Sequence, residues 1–229
     1  MHCDFLVIGG GVVGLTVALQ LRRRWGDATI VLIDKEREFG LHASGRNSGV
    51  LHAGFYYSAD SLKARFTREG NAALRAFCHE KGLRLNECGK LVVARDEREL
   101  DALDELAIRG EANGVSLHMV TEEDAKRLEP RAKTYRHAIW SPTTATADPQ
   151  EVTRALVQEA ERLGIRMTTA TAFLSVRGCE VRTSSGNIEA GYVVNCAGLH
   201  ADRIAHRFGC GTQYRIAPFK GLYLYSSEA

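Results

Sequence analysis

The feature that most constrains this chain is a short apolar run that ends in glycines. Phe5-Leu6-Val7-Ile8 has no polar interruption and runs directly into Gly9-Gly10-Gly11. A strand with one wet face would alternate, so an unbroken run of this length predicts a strand buried on both faces, as in a parallel sheet. Val12, Leu15, Leu19 and Arg22 follow at helical spacing, and Trp25-Gly26-Asp27 stops the helix. Residues 29–33 (TIVLI) repeat the buried-strand pattern. The unit is therefore βαβ, with the right-handed crossover that nearly all such units adopt.

Gly9-x-Gly11-x-x-Gly14 sits at the first strand–helix turn, and Asp34 lies 20 residues past Gly14 at the end of the second strand. Glycine triplets recur by chance, but this context gives each residue a task. Gly9 permits the tight turn, and Gly11 lets a pyrophosphate approach backbone N–H groups at the helix N-terminus. Gly14 lets helix and strand pack closely, and Asp34 can accept hydrogen bonds from a ribose diol. An acid at position 34 argues against a 2′-phosphate, and hence against NADP. The bland alternative is an α/β turn without a ligand.

Further along, residues 61–82 carry a helical stripe of Leu62, Phe66, Ala73 and Phe77 closed by Gly82. Leu91-Val92-Val93 predicts a strand, and Leu100, Leu103 and Ala107 a helix ending near Gly114. Val115, Leu117 and Met119 alternate like a half-buried strand. Thr121 to Asp124 resembles a capping box opening a short helix that Pro130 ends. Together these features predict a mixed α+β insertion over residues 85–145. Asp148-Pro149-Gln150-Glu151 then starts a helix with an N-cap, a proline at the first position and an acid in the first turn. Strands are expected at 166–171, 173–176 and 180–183. A Ser184–Asn187 turn leads to Ile188, and a last apolar strand, 192–196, ends in Ala197-Gly198 with a helix after it. The chain thus returns to the parallel sheet.

The charge balance, 30 Lys+Arg against 28 Asp+Glu, supplies no electrostatic case for nucleic acid. The run Arg22-Arg23-Arg24 reads as a solvated helix end that complements the dipole. Six cysteines (Cys3, Cys78, Cys88, Cys179, Cys196, Cys210) are scattered without metal-like clustering, so no metal site is expected. They suit reduced thiols, several in the core, of a cytoplasmic protein. No signal peptide is visible, and no apolar run approaches the roughly 18 residues of a transmembrane segment. A peripheral place at the inner face of a membrane stays open.

Residues 43–57 (ASGRNSGVLHAGFYY), followed by Ser61-Leu-Lys-Ala-Arg65, resemble the FAD oxidoreductases of the D-amino-acid-oxidase superfamily, nearest the L-2-hydroxyglutarate oxidase/dehydrogenase branch. Cys88-Gly-Lys-Leu-Val-Val93, Leu128-Glu-Pro130, Val194-Asn-Cys-Ala-Gly-Leu199 and Pro218-Phe-Lys-Gly221 extend the similarity in the family's order. The resemblance implies FAD, with Ser44, Gly45 and Asn47 beside the pyrophosphate and flavin ring. It implies that the Phe173 backbone pairs with the adenine edge and that Ala197 and Gly198 let the last strand pass the dinucleotide. Read without the family, residues 44–49 are a flexible surface loop. Arg46 stands where many relatives have His.

His52 suits a base that takes a hydroxyl proton while hydride leaves carbon. The alternative is a hydrogen-bonded histidine that only shapes the flavin pocket. Tyr56, Tyr57 and Lys63 could face a dicarboxylate substrate, although tyrosines at such positions also serve plain packing. The expected fold class is α/β: a Rossmann-like FAD-binding parallel sheet with an inserted mixed α+β substrate domain, its C-terminal part missing. The FAD-binding domain is expected over residues 1–84 and 146–210, and a partial substrate domain over 85–145 and 211–229. The implied reaction is FAD-dependent oxidation of an L-2-hydroxy acid, foremost L-2-hydroxyglutarate, to the 2-oxo acid, with oxygen or a quinone as electron acceptor. An amine or amino-acid oxidase, or a non-catalytic FAD-binding fragment, are the alternatives.

Overall fold

The structure, a computed structural model, describes residues 1–222; the rest of the expected 211–229 segment lies outside the described residues. Its elements begin with β1 (His2–Ile8), α1 (Val12–Arg24), β2 (Ile30–Ile33) and the two-residue β3 (Val50–Leu51). Next come α2 (Leu62–Glu80), β4 (Leu85–Asn86), β5 (Lys90–Val93), α3 (Leu100–Ala112), β6 (His118–Thr121) and α4 (Glu122–Leu128). The chain continues with β7 (His137–Ser141), β8 (Ala145–Ala147), α5 (Pro149–Arg162) and β9 (Arg166–Thr168). It closes with β10 (Phe173–Arg177), β11 (Glu180–Thr183), β12 (Gly186–Asn195) and α6 (Ala201–Arg207). Residue contacts divide the chain into two compact units, one of Met1–Arg46 with the chain from Thr153 onward, the other Asn47–Val152.

The first unit is built on a six-stranded sheet in the order β10-β11-β12-β1-β2-β9. Strands β12, β1, β2 and β9 run parallel, while β10, β11 and β12 are antiparallel neighbours. All four residues of β2 are buried, as the unbroken apolar run requires. Cys3, Leu6, Ile8, Val31, Ile33, Val181, Ile188 and Ala190 form one core cluster, on which Phe173, Val176 and Phe208 pack. Each fully buried aliphatic side chain of this kind stabilises the fold by about 1.5–3 kcal/mol. Arg22, Arg23 and Arg24 occupy the last turn of α1.

Two sequence expectations change here. Ile188 and residues 192–196 are not separate strands, because β12 runs unbroken for ten residues. Its first residues pair with β11 and its later ones with β1, meeting at Glu189, so each half has its own partner. The expected parallel sheet is present as β12-β1-β2-β9, with the antiparallel β10 and β11 added at its β12 side. Of the cysteines, only Cys3 and Cys78 are buried; Cys88, Cys179 and Cys210 are exposed.

The second unit holds two small antiparallel sheets, β3-β8-β4 and β5-β7-β6, with α2, α3 and α4. The expected boundary at 84/85 thus differs from the division by contacts, which falls at 46/47. The physical reason lies in β3 and α2. Val50 and Leu51 pair with Thr146 and Ala145, and the Asn71 carboxamide on α2 donates to the carbonyls of Leu51 and Thr143. Both elements are tied to the 85–147 region by hydrogen bonds that hydrophobic periodicity does not register.

The buried face of α2 also differs from the expected stripe. Leu62 and Phe66 are 65% and 58% exposed, whereas Ala64, Asn71 and Cys78, spaced seven apart, face inward. Strand β6 starts at His118 rather than Val115, because ladder pairing with β7 begins there. Capping follows the sequence more closely: Ser61 Oγ accepts from Ala64 N, Thr121 Oγ1 from Asp124 N, and Asp148 Oδ1 from Gln150 N.

Candidate functional site

In the first unit, the turn between β1 and α1 gathers most of the glycines singled out above. Gly9 adopts φ +110°, a conformation open chiefly to glycine, and a Cβ there would collide with the Cys196 carbonyl and approach Ala197 Cα at 2.9 Å. Thus the end of β12 passes directly over the turn. Gly14 faces the Gly9 carbonyl so closely that any side chain would displace it. Gly11 N-caps α1 without a side-chain cap, and a Cβ on it would lie 2.8 Å from Ser44 Oγ.

The N-terminus of α1 is prepared for an anion. No acidic residue occupies its first turn, so its positive end is not offset locally. Ser44 Oγ, in a short 3-10 turn with Gly45, accepts from Val12 N at 2.9 Å. The hydroxyl therefore sits at the helix end where N–H groups converge. Asp34 accepts from Gly10 N through Oδ2 at 2.7 Å and from Glu36 N through Oδ1 at 2.8 Å. Each carboxylate oxygen retains a second lone pair, so the acid both clamps the turn and keeps acceptor capacity for a ligand hydroxyl.

Gly10 has no task in the glycine spacing, yet a Cβ there would meet the Phe39 ring and lie 3.2 Å from Asp34 Oδ2. Gly198, at φ +53°, opens a 3-10 turn just after β12. Phe173 begins β10, an edge strand among the described residues, so one side of its backbone has no strand neighbour among them; its ring stacks on Phe208 with centroids 5.8 Å apart. Beside Asp34, Glu36 accepts from Lys35 and from His42, and these bonds hold its carboxyl at about 2, well below the usual range.

The second unit carries Asn47, His52, Tyr57 and Lys63. Asn47 Oδ1 accepts from Gly49 N at 2.9 Å, an Asx turn that sets the chain toward β3. His52 follows β3 directly. Partial desolvation of its ring, and then the Lys90 charge, lower its pKa below the ordinary histidine value. Lys63 Nζ stands 4.3 Å from the centroid of the Tyr57 ring, and Lys90 Nζ 4.6 Å from that of Tyr56. These cation–π contacts set one ammonium group from α2 and one from β5 against two rings of the segment that also bears the histidine. Lys90 is not among the site residues expected from the sequence. Its only signal was its place in the Cys88–Val93 match, where a lysine between strand residues reads as a solvated edge.

The model of the FAD-dependent oxidoreductase family matches residues 4–229. The chain belongs to this family. It is similar to the mitochondrial L-2-hydroxyglutarate dehydrogenase of Homo sapiens, with 36% identity over 96% of this chain and 51% of the relative. It is 37% identical to the L-2-hydroxyglutarate dehydrogenase of an Escherichia coli strain, over 96% of this chain and 53% of that one. The chain therefore spans about half the length of the curated relatives it matches. Among solved structures, L-proline dehydrogenase from P. horikoshii superposes with a TM-score of 0.81 at 26% identity, covering 92% of this chain and 56% of that one. Glycine oxidase from Geobacillus kaustophilus gives 0.81 at 25% identity, over 91% and 58%.

The residues present fit the FAD of this family. The cradle at Gly9, Gly11 and Gly14 would be filled by any side chain, and the α1 N-terminus offers N–H groups to a pyrophosphate. Among the described residues, no helix is long and apolar enough to cross a membrane.

Proposed function

We propose that this member of the FAD-dependent oxidoreductase family takes part in oxidising the secondary alcohol of an L-2-hydroxy acid, foremost L-2-hydroxyglutarate, to the 2-oxo acid. The observation that carries the reading is identity of 36–37% to L-2-hydroxyglutarate dehydrogenases over 96% of the chain. FAD supplies acceptance of the hydride from the carbinol carbon. His52 takes the hydroxyl proton; its lowered pKa keeps the imidazole neutral, and thus able to accept, near neutral pH. Lys63 and Lys90 suit the carboxylates of a dicarboxylic substrate, and Tyr57 shapes the place of one of them. Gly9, Gly11, Gly14, Asp34, Ser44, Gly45, Asn47, Phe173, Ala197 and Gly198 serve the dinucleotide. Electrons pass on to oxygen or a quinone.

The test is anaerobic bleaching of the flavin in the FAD-loaded protein. L-2-hydroxyglutarate should reduce it, with the D-enantiomer, glycine and L-proline much slower. His52→Gln should lower the rate by about 10²-fold, in the range of a lost general base. Faster reduction by glycine or proline would instead assign the chain to amine oxidation, which the likeness to glycine oxidase and proline dehydrogenase makes the second reading. Bound flavin that none of these compounds reduces would overturn the proposal.

A further inference from the structure

The segment Leu51–Tyr57 carries His52, Tyr56 and Tyr57 but leaves regular secondary structure after Leu51. Its backbone carbonyls must find partners elsewhere, and side chains from α2, from α3 and from the C-cap of α3 supply them. Asn71 Nδ2 donates to the carbonyls of Leu51 at 2.9 Å and His52 at 3.2 Å, and to that of Thr143 at 3.1 Å. Asn113 Nδ2 donates to Gly54 at 3.1 Å and Tyr57 at 2.9 Å. Arg109 donates to the Tyr56 carbonyl at 3.1 Å. Five of the segment's seven carbonyls are thus held by three side chains.

Burial makes this arrangement specific. Asn71 is 9% exposed and Asn113 4%. Buried carboxamides are costly unless hydrogen-bonded, and these two direct all their N–H groups at carbonyls, mostly of this one segment. Asn113 even leaves its own Oδ1 buried without a partner among the described residues. Two apolar residues would fill the same space without that penalty. Within the segment, Phe55 is fully buried and Gly54 turns the chain at φ +103°. The anchor and the amides together leave the segment one path.

We propose that Asn71 and Asn113, with Arg109, are positioning residues that fix the His52–Tyr57 segment for the substrate. Its significance for substrate rests on the function proposed above; the geometric claim does not. Asn71 holds the peptide carbonyl of His52 itself, so the ring leaves a fixed backbone. Arg109 and Asn113 hold Tyr56 and Tyr57, whose rings carry the two ammonium groups. Loosening either end lets His52 move away from Lys90 and into water, which raises its pKa.

The test follows the histidine ring resonances of the 229-residue chain by NMR as pH is varied, with His52 identified by its loss in His52→Gln. Neither FAD nor substrate is needed, so failure here is distinguishable from failure of the proposed reaction. In Asn71→Ala and Asn113→Ala the His52 midpoint should rise toward about 6.5, the value of an unperturbed histidine. Arg109→Met, at a half-buried position, serves if either variant does not fold, and should move the midpoint the same way. Thr134→Val is the control. Thr134 is also 9% exposed, and it bonds Ala94 N and the His137 carbonyl rather than any carbonyl of the segment, so it should lower Tm without moving His52. A folded Asn71 or Arg109 variant with lowered Tm and an unchanged His52 midpoint would overturn the proposal, as would an equal movement in Thr134→Val.

Discussion

Replacing Asp34 by asparagine tests the glycine turn without altering its shape. Both carboxylate oxygens already accept a backbone N–H, from Gly10 at 2.7 Å and from Glu36 at 2.8 Å. A carboxamide has one acceptor atom, so whichever way it flips, its NH₂ faces one of those donors. The variant therefore loses one charge-assisted hydrogen bond, worth about 1.5–3 kcal/mol. That is roughly a 10- to 150-fold change in the folding equilibrium. At about 2–4 °C per kcal/mol for a chain of this size, Tm should fall by about 3–12 °C. Trp25 lies in the same unit, with its ring 5.1 Å from Phe5, so its fluorescence reports on this sheet. Unfolding should be followed in a Trp140→Phe background, which removes the other tryptophan. A loss below about 0.5 kcal/mol, the level of an ordinary surface substitution, would show that the carboxylate does not clamp the turn.

Gly14→Ala places a methyl group on the Gly9 carbonyl oxygen, so it should cost about 1–3 kcal/mol or more by overpacking and abolish FAD retention on gel filtration. Ser61→Ala removes the acceptor of Ala64 N at 3.1 Å and should cost about 1 kcal/mol in urea titration, with FAD retention unchanged. Glu36 is held at about 2 against a reference of 4.5, by Lys35 first and then His42. Because its folded pKa is depressed, its stabilisation is present above about pH 4.5 and is lost as pH falls toward 2. The Tm difference between wild type and Glu36→Gln should therefore be small at pH 7, as for any exposed pair, and shrink between pH 4.5 and 2.

The first sheet was legible because its information is hydrophobic and local. Phe5–Ile8 and residues 29–33 are uninterrupted, and glycines punctuate the turn where a chain must approach itself. The amide cage of the second unit was not legible. Asn71 and Asn113 act by donating hydrogen bonds, and an asparagine inside a helix or at its end looks like any polar residue on a wet face. The same blindness explains α2, where counting apolar residues selected Leu62 and Phe66 while the helix buries Ala64, Asn71 and Cys78. Lys90 escaped because its partners, Tyr56 and His52, lie more than 30 residues away in sequence. Family likeness located the segment around His52; only the fold shows what holds it.

The placing of β1 has a consequence for synthesis. Its neighbours are β2, about 25 residues downstream, and β12, whose Val193 pairs with Leu6. When β2 leaves the ribosome, some 160 residues must still be made before the other edge of β1 can be covered. At about 5–20 residues per second that takes roughly 8–30 s. During that interval one of the most apolar strands of the protein presents an open edge of N–H and C=O groups, the arrangement that invites pairing with another nascent chain. Yield in a cell should therefore rise with chaperone capacity and fall as translation slows, less through the stability of the finished sheet than through how long its first strand waits for its last partner.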